Sequence, residues 1–296
     1  MQQNNIYLVI AGFSISLFSD TIIELEEGYL PFVEEGNNEP ADVTIQCFSG
    51  LPNNTFKDEE LVFEAKNEQQ RFYSIYRIGK ELGFIIYNQQ AINEIQQIAT
   101  LDENFTHWKV YTESANSNFI PLRYPLGPII MHYMTLKTDA VMMHASCAFD
   151  GSKARIFTGF SGAGKSTISQ LWSMAGNLII NDDRIIIRKS ETGYFVYNTP
   201  MYYKDRPKKA PLNSIFLISH SPENRLKQLT GATAISKVMA FSIQNNFDKQ
   251  FIQSRLEFFS DLCSAVSVFE LGFVPDESVV NFILDNENRS PAQKPA

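Results

Sequence analysis

The chain is poor in cysteine: Cys47, Cys147 and Cys263 stand far apart and are odd in number. That argues against a disulfide framework and against a thiolate metal centre built on paired Cys-x-x-Cys spacing. Reduced thiols in a cytoplasmic protein are the simpler expectation. No lysine or arginine precedes Lys57, so the apolar run IYLVIAGFSISLF at 6–18 lacks the basic flank of a secretory signal. The run is also too short, and too interrupted by Gly12, Ser14 and Ser16, to span a bilayer. No membrane partner is expected. Basic charge is scarce throughout: 25 Lys and Arg stand against 33 Asp and Glu, a formal net charge of −8. A general nucleic-acid binder carries a basic face, so nucleic acid is not an expected partner. A small phosphate ligand is not excluded, because backbone N–H groups and a few local cations suffice to bind it. No internal repeat is apparent.

What is present divides by texture. Residues 1–120 read as a β-rich domain, with strand-like runs at 6–18, 21–25, 42–48, 61–65, 71–78, 84–88 and 108–114 separated by turn-forming pieces. Residues 121–288 alternate helix and strand patterns, and 289–296 form a tail expected to be disordered. Ile129, Ile130, Tyr133 and Met134 fit a helix, AVMMHASCAFD at 140–150 a strand, and SKARIFTG at 152–159 the next strand across a turn at Asp150–Gly151. A helix then stops at Gly176 and Asn177. Strands follow at LIINDD, RIIIRK and ETGYFVYN, then at SIFLIS. A later helix is predicted to bury Phe251, Leu256, Phe259 and Leu262, and Asp276 to cap the last one. The expected class is mixed α/β: a β-rich N-terminal region followed by a nucleotide-binding core.

The stretch RIFTGFSGAGKSTISQLW carries the chemistry. From Gly159 it reads G-x-x-x-x-G-K-S, with Gly164, Lys165 and Ser166 at the required offsets. RIFT supplies an entering strand and STISQLWSM an emerging helix, the context that a phosphate loop needs. Glycine lets successive N–H groups point at oxygen atoms, and a side chain there would block that approach. Gly159, Ser161, Gly162, Ala163, Gly164, Lys165, Ser166 and Thr167 are therefore the candidate phosphate-binding residues. Lys165 should reach the β- and γ-phosphates, and the Ser166 hydroxyl should help hold Mg²⁺. Asp182 and Asp183 end the next apolar strand, which could lie beside the loop strand and deliver both carboxylates to the same crevice. One could hold Mg²⁺ and its neighbour accept a proton from an attacking hydroxyl. Read alone, His144 is a hydrogen-bonded core residue, and His107, His132 and His220 offer no identifiable partners.

The run HASCAFDGSKARIFTGFSGAGKSTISQLWSMAGNLIINDDRIII resembles the core of the HPr kinase/phosphorylase family, which shares a P-loop fold with phosphoenolpyruvate carboxykinase. NTPMYY and PLNSIFLIS also resemble the family's relatives, and the likeness covers roughly residues 140–285. It implies ATP and Mg²⁺ as cofactors, Gly159 to Thr167 as the phosphate cradle, Asp182 on the Mg²⁺ side and Asp183 as the base. It also implies that His144 lies near the transferred phosphate. Ring assembly in relatives implies a possible homo-oligomer. The sequence departs from the family at Thr167, where its kinases carry glutamate, and at the TPM of 199–201, where they carry TPW. The N-terminal half does not resemble theirs. The expectation is a relative of the family rather than a true HPr kinase: an ATP-dependent kinase acting on a hydroxyl of a protein serine or small molecule, its phosphoryl acceptor unknown. A non-catalytic nucleotide-binding module is the alternative. A carboxykinase ranks last because the chain is short. The basic cluster Lys204, Arg206, Lys208 and Lys209 reads equally as a loop closing over phosphates and as a solvated surface loop.

Overall fold

A computed structural model describes residues 2–35, 40–53, 55–56, 58–113, 119–200, 209–243 and 249–289. The basic cluster, apart from Lys209, and the tail beyond residue 289 lie outside the described residues. The chain is mixed α/β, rich in sheet with few helices, and forms two compact units. Among the described residues no helix is long and apolar enough to cross a membrane.

The first unit comprises Met1–Thr138 with two short later segments. Its strands are β1 (Gln2–Ile10), β2 (Phe13–Glu24), β3 (Val43–Ser49), β4 (Glu60–Lys66), β5 (Arg71–Ile78), β6 (Glu81–Tyr87), β7 (Ile95–Leu101) and β8 (His107–Thr112). They form one sheet in the order β1-β2-β3-β8-β7-β6-β5-β4. The 6–18 run, read as the entrance to a strand pair, is a hairpin. It turns at Ala11 and Gly12, both with positive φ, the backbone that a two-residue connection demands. TIIEL is the end of β2 rather than a separate strand. Strand β7 was not anticipated, because Gln96 and Gln97 break the apolar pattern. Gln97 is buried all the same, its amide donating to Thr112 Oγ1 at 3.0 Å and to the Pro121 carbonyl at 2.9 Å. Helix α1 (Leu126–Leu136) packs Tyr133 edge-on to Phe84 and Trp108, with ring centroids 5.3 and 5.9 Å away.

The second unit holds β9 (Ala140–Phe149), β10 (Ala154–Thr158), α2 (Lys165–Met174), β11 (Leu178–Asn181), β12 (Arg184–Ser190) and β13 (Gly193–Asn198). After these come β14 (Lys209–His220), β15 (Arg225–Leu229), α3 (Gly231–Ala240), α4 (Gln250–Ala265), β16 (Ser267–Phe273) and α5 (Ser278–Arg289). The sheet runs β10-β9-β12-β13-β14-β16-β15, and β14 also pairs in parallel with β10, so the first five strands close on themselves. Alternation splits the core. Phe157, Phe216 and Phe269 stack in a row under α2 and α5, while Ile156, Ile215 and Val268 face α3 and α4. Helix α2 ends as anticipated: Gly176 has φ 83°, and the N–H groups of Gly176 and Asn177 return to the carbonyls of Ser173 and Trp172.

Two further expectations, both in the second unit, need correction. Strand β11 does not lie beside the loop strand β10; it pairs with β9, which β10 flanks on the other edge. In α4, Leu256 is 44% exposed, and Phe258 is buried with Phe251, Phe259 and Leu262.

Candidate functional site

Strand β10 runs into the loop at Gly159, and α2 leaves it at Lys165. Gly162 and Gly164 have φ of 79° and 99°, so the backbone curls where an L side chain would be strained. Space is also short. A Cβ on Gly159 would stand 2.8 Å from the Ile218 carbonyl, and one on Gly164 would stand 2.8 Å from the Phe273 ring. At Gly159 the strand beneath requires glycine, and at Gly164 both the curl and the strand beneath do. The Lys165 ammonium donates to the loop's own carbonyls, Gly159 O at 3.1 Å and Phe160 O at 3.3 Å. Burial pushes its pKa down, offset in part by the Asp183 carboxylate. Ser146 on β9 anchors the start of α2 by donating to the Lys165 carbonyl at 3.2 Å.

The acidic pair occupies a jog in the sheet. One edge of β9 pairs with β11 through Phe149 to Cys147 and with β12 from His144 down to Ala140. Asp182 and Asp183 fill the break between those two pairings, where the Ala145 N–H donates to the Asp183 carbonyl at 3.0 Å. This brings Asp183 to His144, Oδ1 to Nδ1 at 3.1 Å, and His144 is the exposed residue of an otherwise buried strand centre. Arg184 donates to Asp183 Oδ2 at 2.5 Å. Burial pushes the Asp183 carboxyl up. The His144 hydrogen bond and the charges of Arg184, His144 and Lys165 outweigh that and hold it below the usual aspartate value.

Of the sequence-predicted residues, the structure gathers His144, Asp183 and Lys165 into one electrostatic cluster at the foot of the loop. It does not gather Asp182 and Ser166: Asp182 is half-buried in the jog and Ser166 exposed on the first turn of α2, and neither makes a side-chain hydrogen bond to that cluster. Ser161 and Gly162 are exposed, and Ala163 and Thr167 half-buried, along the loop and first helical turn. Among the described residues no group of three or more His, Cys, Asp or Glu side chains converges to hold a metal. The Ser166 hydroxyl and the two carboxylates are nonetheless hard oxygen donors, the kind Mg²⁺ takes when phosphate oxygens complete its shell.

Three supporting residues were not foreseen. Asn181 is fully buried and fixes the jog: its amide donates to Asn198 Oδ1 at 2.8 Å, and its Oδ1 accepts the Asp183 and Arg184 N–H groups at 2.9 and 3.2 Å. Thr199, the first residue of the TPM stretch, is buried and donates to the Arg184 carbonyl at 2.8 Å. His220, which had no identifiable partner, stacks on Phe273 and places Nε2 3.0 Å from the Gly162 carbonyl. Its position at the end of a strand parallel to β10 was the available signal.

Residues 129–207 match the sequence profile of phosphoenolpyruvate carboxykinase, an ATP-using family, over a stretch that contains His144, the loop and the acidic pair. None of the curated proteins matches the chain. Among solved structures, the Hpr(Ser) kinase/phosphatase from Coxiella burnetii is similar at 11% identity and a TM-score of 0.28, over 49% of this chain and 98% of that one.

Proposed function

We propose that the protein is an ATP-dependent, Mg²⁺-requiring phosphotransferase acting on a hydroxyl. The observation that carries this reading is the His144–Asp183 contact of 3.1 Å, with Lys165 close enough to both loop and carboxylate to lower the Asp183 pKa. The match to an ATP-using family across the same residues supports it. Gly159 to Thr167 bind the phosphates through backbone N–H groups, and Lys165 moves from the loop carbonyls to the phosphate oxygens. Ser166 and Asp182 are the residues to hold Mg²⁺, which when bound neutralises charge on the phosphate oxygens.

In the reaction the acceptor oxygen forms a bond to the γ-phosphorus, the bond from that phosphorus to the β,γ-bridging oxygen breaks, and ADP departs. The hydroxyl proton passes to Asp183. A carboxyl held below its ordinary pKa is a weak base. That suffices here, because the loose transition state asks mainly for orientation of the hydroxyl and charge neutralisation. His144 keeps Asp183 ionised and aimed.

The test is a pair of variants assayed with γ-labelled ATP. Lys165→Ala should weaken nucleotide binding by roughly ten- to a hundredfold, the loss of charge-assisted hydrogen bonds. Asp183→Asn should leave binding intact and lower transfer by on the order of a hundredfold or more. Full turnover in Asp183→Asn would sink the base assignment. Nucleotide binding with no labelled product from any acceptor, oxaloacetate included, would favour a non-catalytic module, the reading that Thr167 motivates.

A further inference from the structure

Phe160 is 79% exposed although it sits in the phosphate loop. A large aromatic ring left that open on a loop of glycines and small residues has no structural need to be there. It meets Phe241, just past α3, edge-on at 5.0 Å, and the two rings line a cavity of about 640 Å³. That volume lies within the roughly 300–1,000 Å³ of small-molecule sites. Leu226 adds a further apolar wall. The polar side carries Arg225, Lys227 and Lys237 around Glu270, with Lys237 paired to Glu270. Three cations to one carboxylate is a local positive excess in a chain of net charge −8, which suits a ligand joined to phosphate.

The position follows from strand order. Loop strand β10 has β9 on one edge and β14 on the other. His144 stands on β9, and Asp183 joins it there. Leu217 and Ile218, near the end of β14, line the cavity, and the Ile218 carbonyl lies directly beneath Gly159. The reacting cluster and the cavity therefore flank the loop on opposite sides, as the two ends of a nucleoside triphosphate must when its middle phosphates lie in the loop. We propose that this cavity seats the base and ribose of the bound purine nucleotide, with the Phe160 and Phe241 rings as its aromatic walls and Glu270 as an acceptor for an exocyclic amino group. The assignment rests on the phosphate-loop reading above and extends it.

The experiment titrates the full chain by calorimetry with two probes in the presence of Mg²⁺: a non-hydrolysable ATP analogue, and inorganic tripolyphosphate, which has no nucleoside. Phe241→Ala removes one aromatic wall. Ala240→Phe adds bulk from an exposed position at the end of α3, where the core is not disturbed. Each variant should weaken the ATP analogue by roughly ten- to a hundredfold, the loss of a base–aromatic contact, and leave tripolyphosphate unchanged. If both probes weaken together, or Ala240→Phe leaves the ATP analogue untouched, the nucleoside seat is overturned. A Lys165→Ala control separates the two readings: loss of tripolyphosphate binding there upholds the phosphate loop whatever the cavity variants do. Wild-type protein that binds neither probe overturns both.

Discussion

Asp183 is half-buried, a setting that would ordinarily favour the neutral carboxylic acid, yet His144, Arg184 and Lys165 keep it ionised. The direction fixes a pH dependence. A carboxyl whose folded pKa lies below its unfolded one contributes stability that is present above the unfolded value and is lost as pH falls through the folded one. Wild type should therefore be more stable than Asp183→Asn at neutral pH, and the gap should close only in strong acid. His144→Gln should move that closure to higher pH. Chemical denaturation of the three proteins across pH checks it, and a gap that widens towards acid would reverse the assigned sign. The thiols offer the contrast of burial that prevails: it pushes Cys263 up to about 11, and Cys147 further still against the lowering influence of Arg155, so neither is a nucleophile at neutral pH.

At the scale of elements, α5 is tied to the loop strand by a buried ion network. Arg155, 2% exposed on β10, donates to Glu287 Oε2 from Nε and Nη2 at 3.0 and 2.6 Å and to Asp150 Oδ2 at 2.8 Å, and lies over the Trp172 ring at 5.0 Å. Glu287 Oε1 accepts from Ser214 and Asn213 at 2.7 and 3.0 Å. Glu287→Ala leaves the guanidinium under-compensated and should cost about 3 kcal/mol, near the lower end for breaking a buried pair because Asp150 remains. The urea midpoint should fall with an unchanged slope, and an unmoved midpoint would mean that α5 is not held this way. None of this network was legible in the sequence, where Arg155 is merely the first residue of RIFT. The loop itself was legible because its chemistry is local: glycine spacing, entering strand and emerging helix are all contiguous. The Asp–Asp pair was visible for the same reason, but the neighbouring strand was misassigned, because which strand β11 joins depends on residues far away. Asn181 and His220 escaped notice because pairing across the sheet creates their roles. Gln97 hid β7 because its side-chain N–H groups find their acceptors, Thr112 and Pro121, only in the folded state.

Over the whole molecule, the two units each carry a reporter thiol, Cys47 in the first and Cys147 in the second. Cys147 lies fully buried on β9 beside Ser146, whose hydroxyl holds the start of α2. A ligand that binds only the native loop suppresses opening of the unit that contains it by mass action. An ATP analogue at a hundred times its dissociation constant should therefore slow alkylation of Cys147 by roughly a hundredfold and leave Cys47 unaffected. Mass spectrometry of the labelled peptides reads both rates at once, and equal protection of the two would show a single cooperative opening. The Arg155 network also bears on how the chain is made. Synthesis runs from the N-terminus, so the guanidinium on β10 leaves the ribosome long before its partner at residue 287. Strand β14, which lies against β10, also emerges late. The nascent glycine loop is thus born without its clamp, and, if it binds nucleotide as proposed, a ribosome stalled short of α5 should display a chain that cannot yet do so.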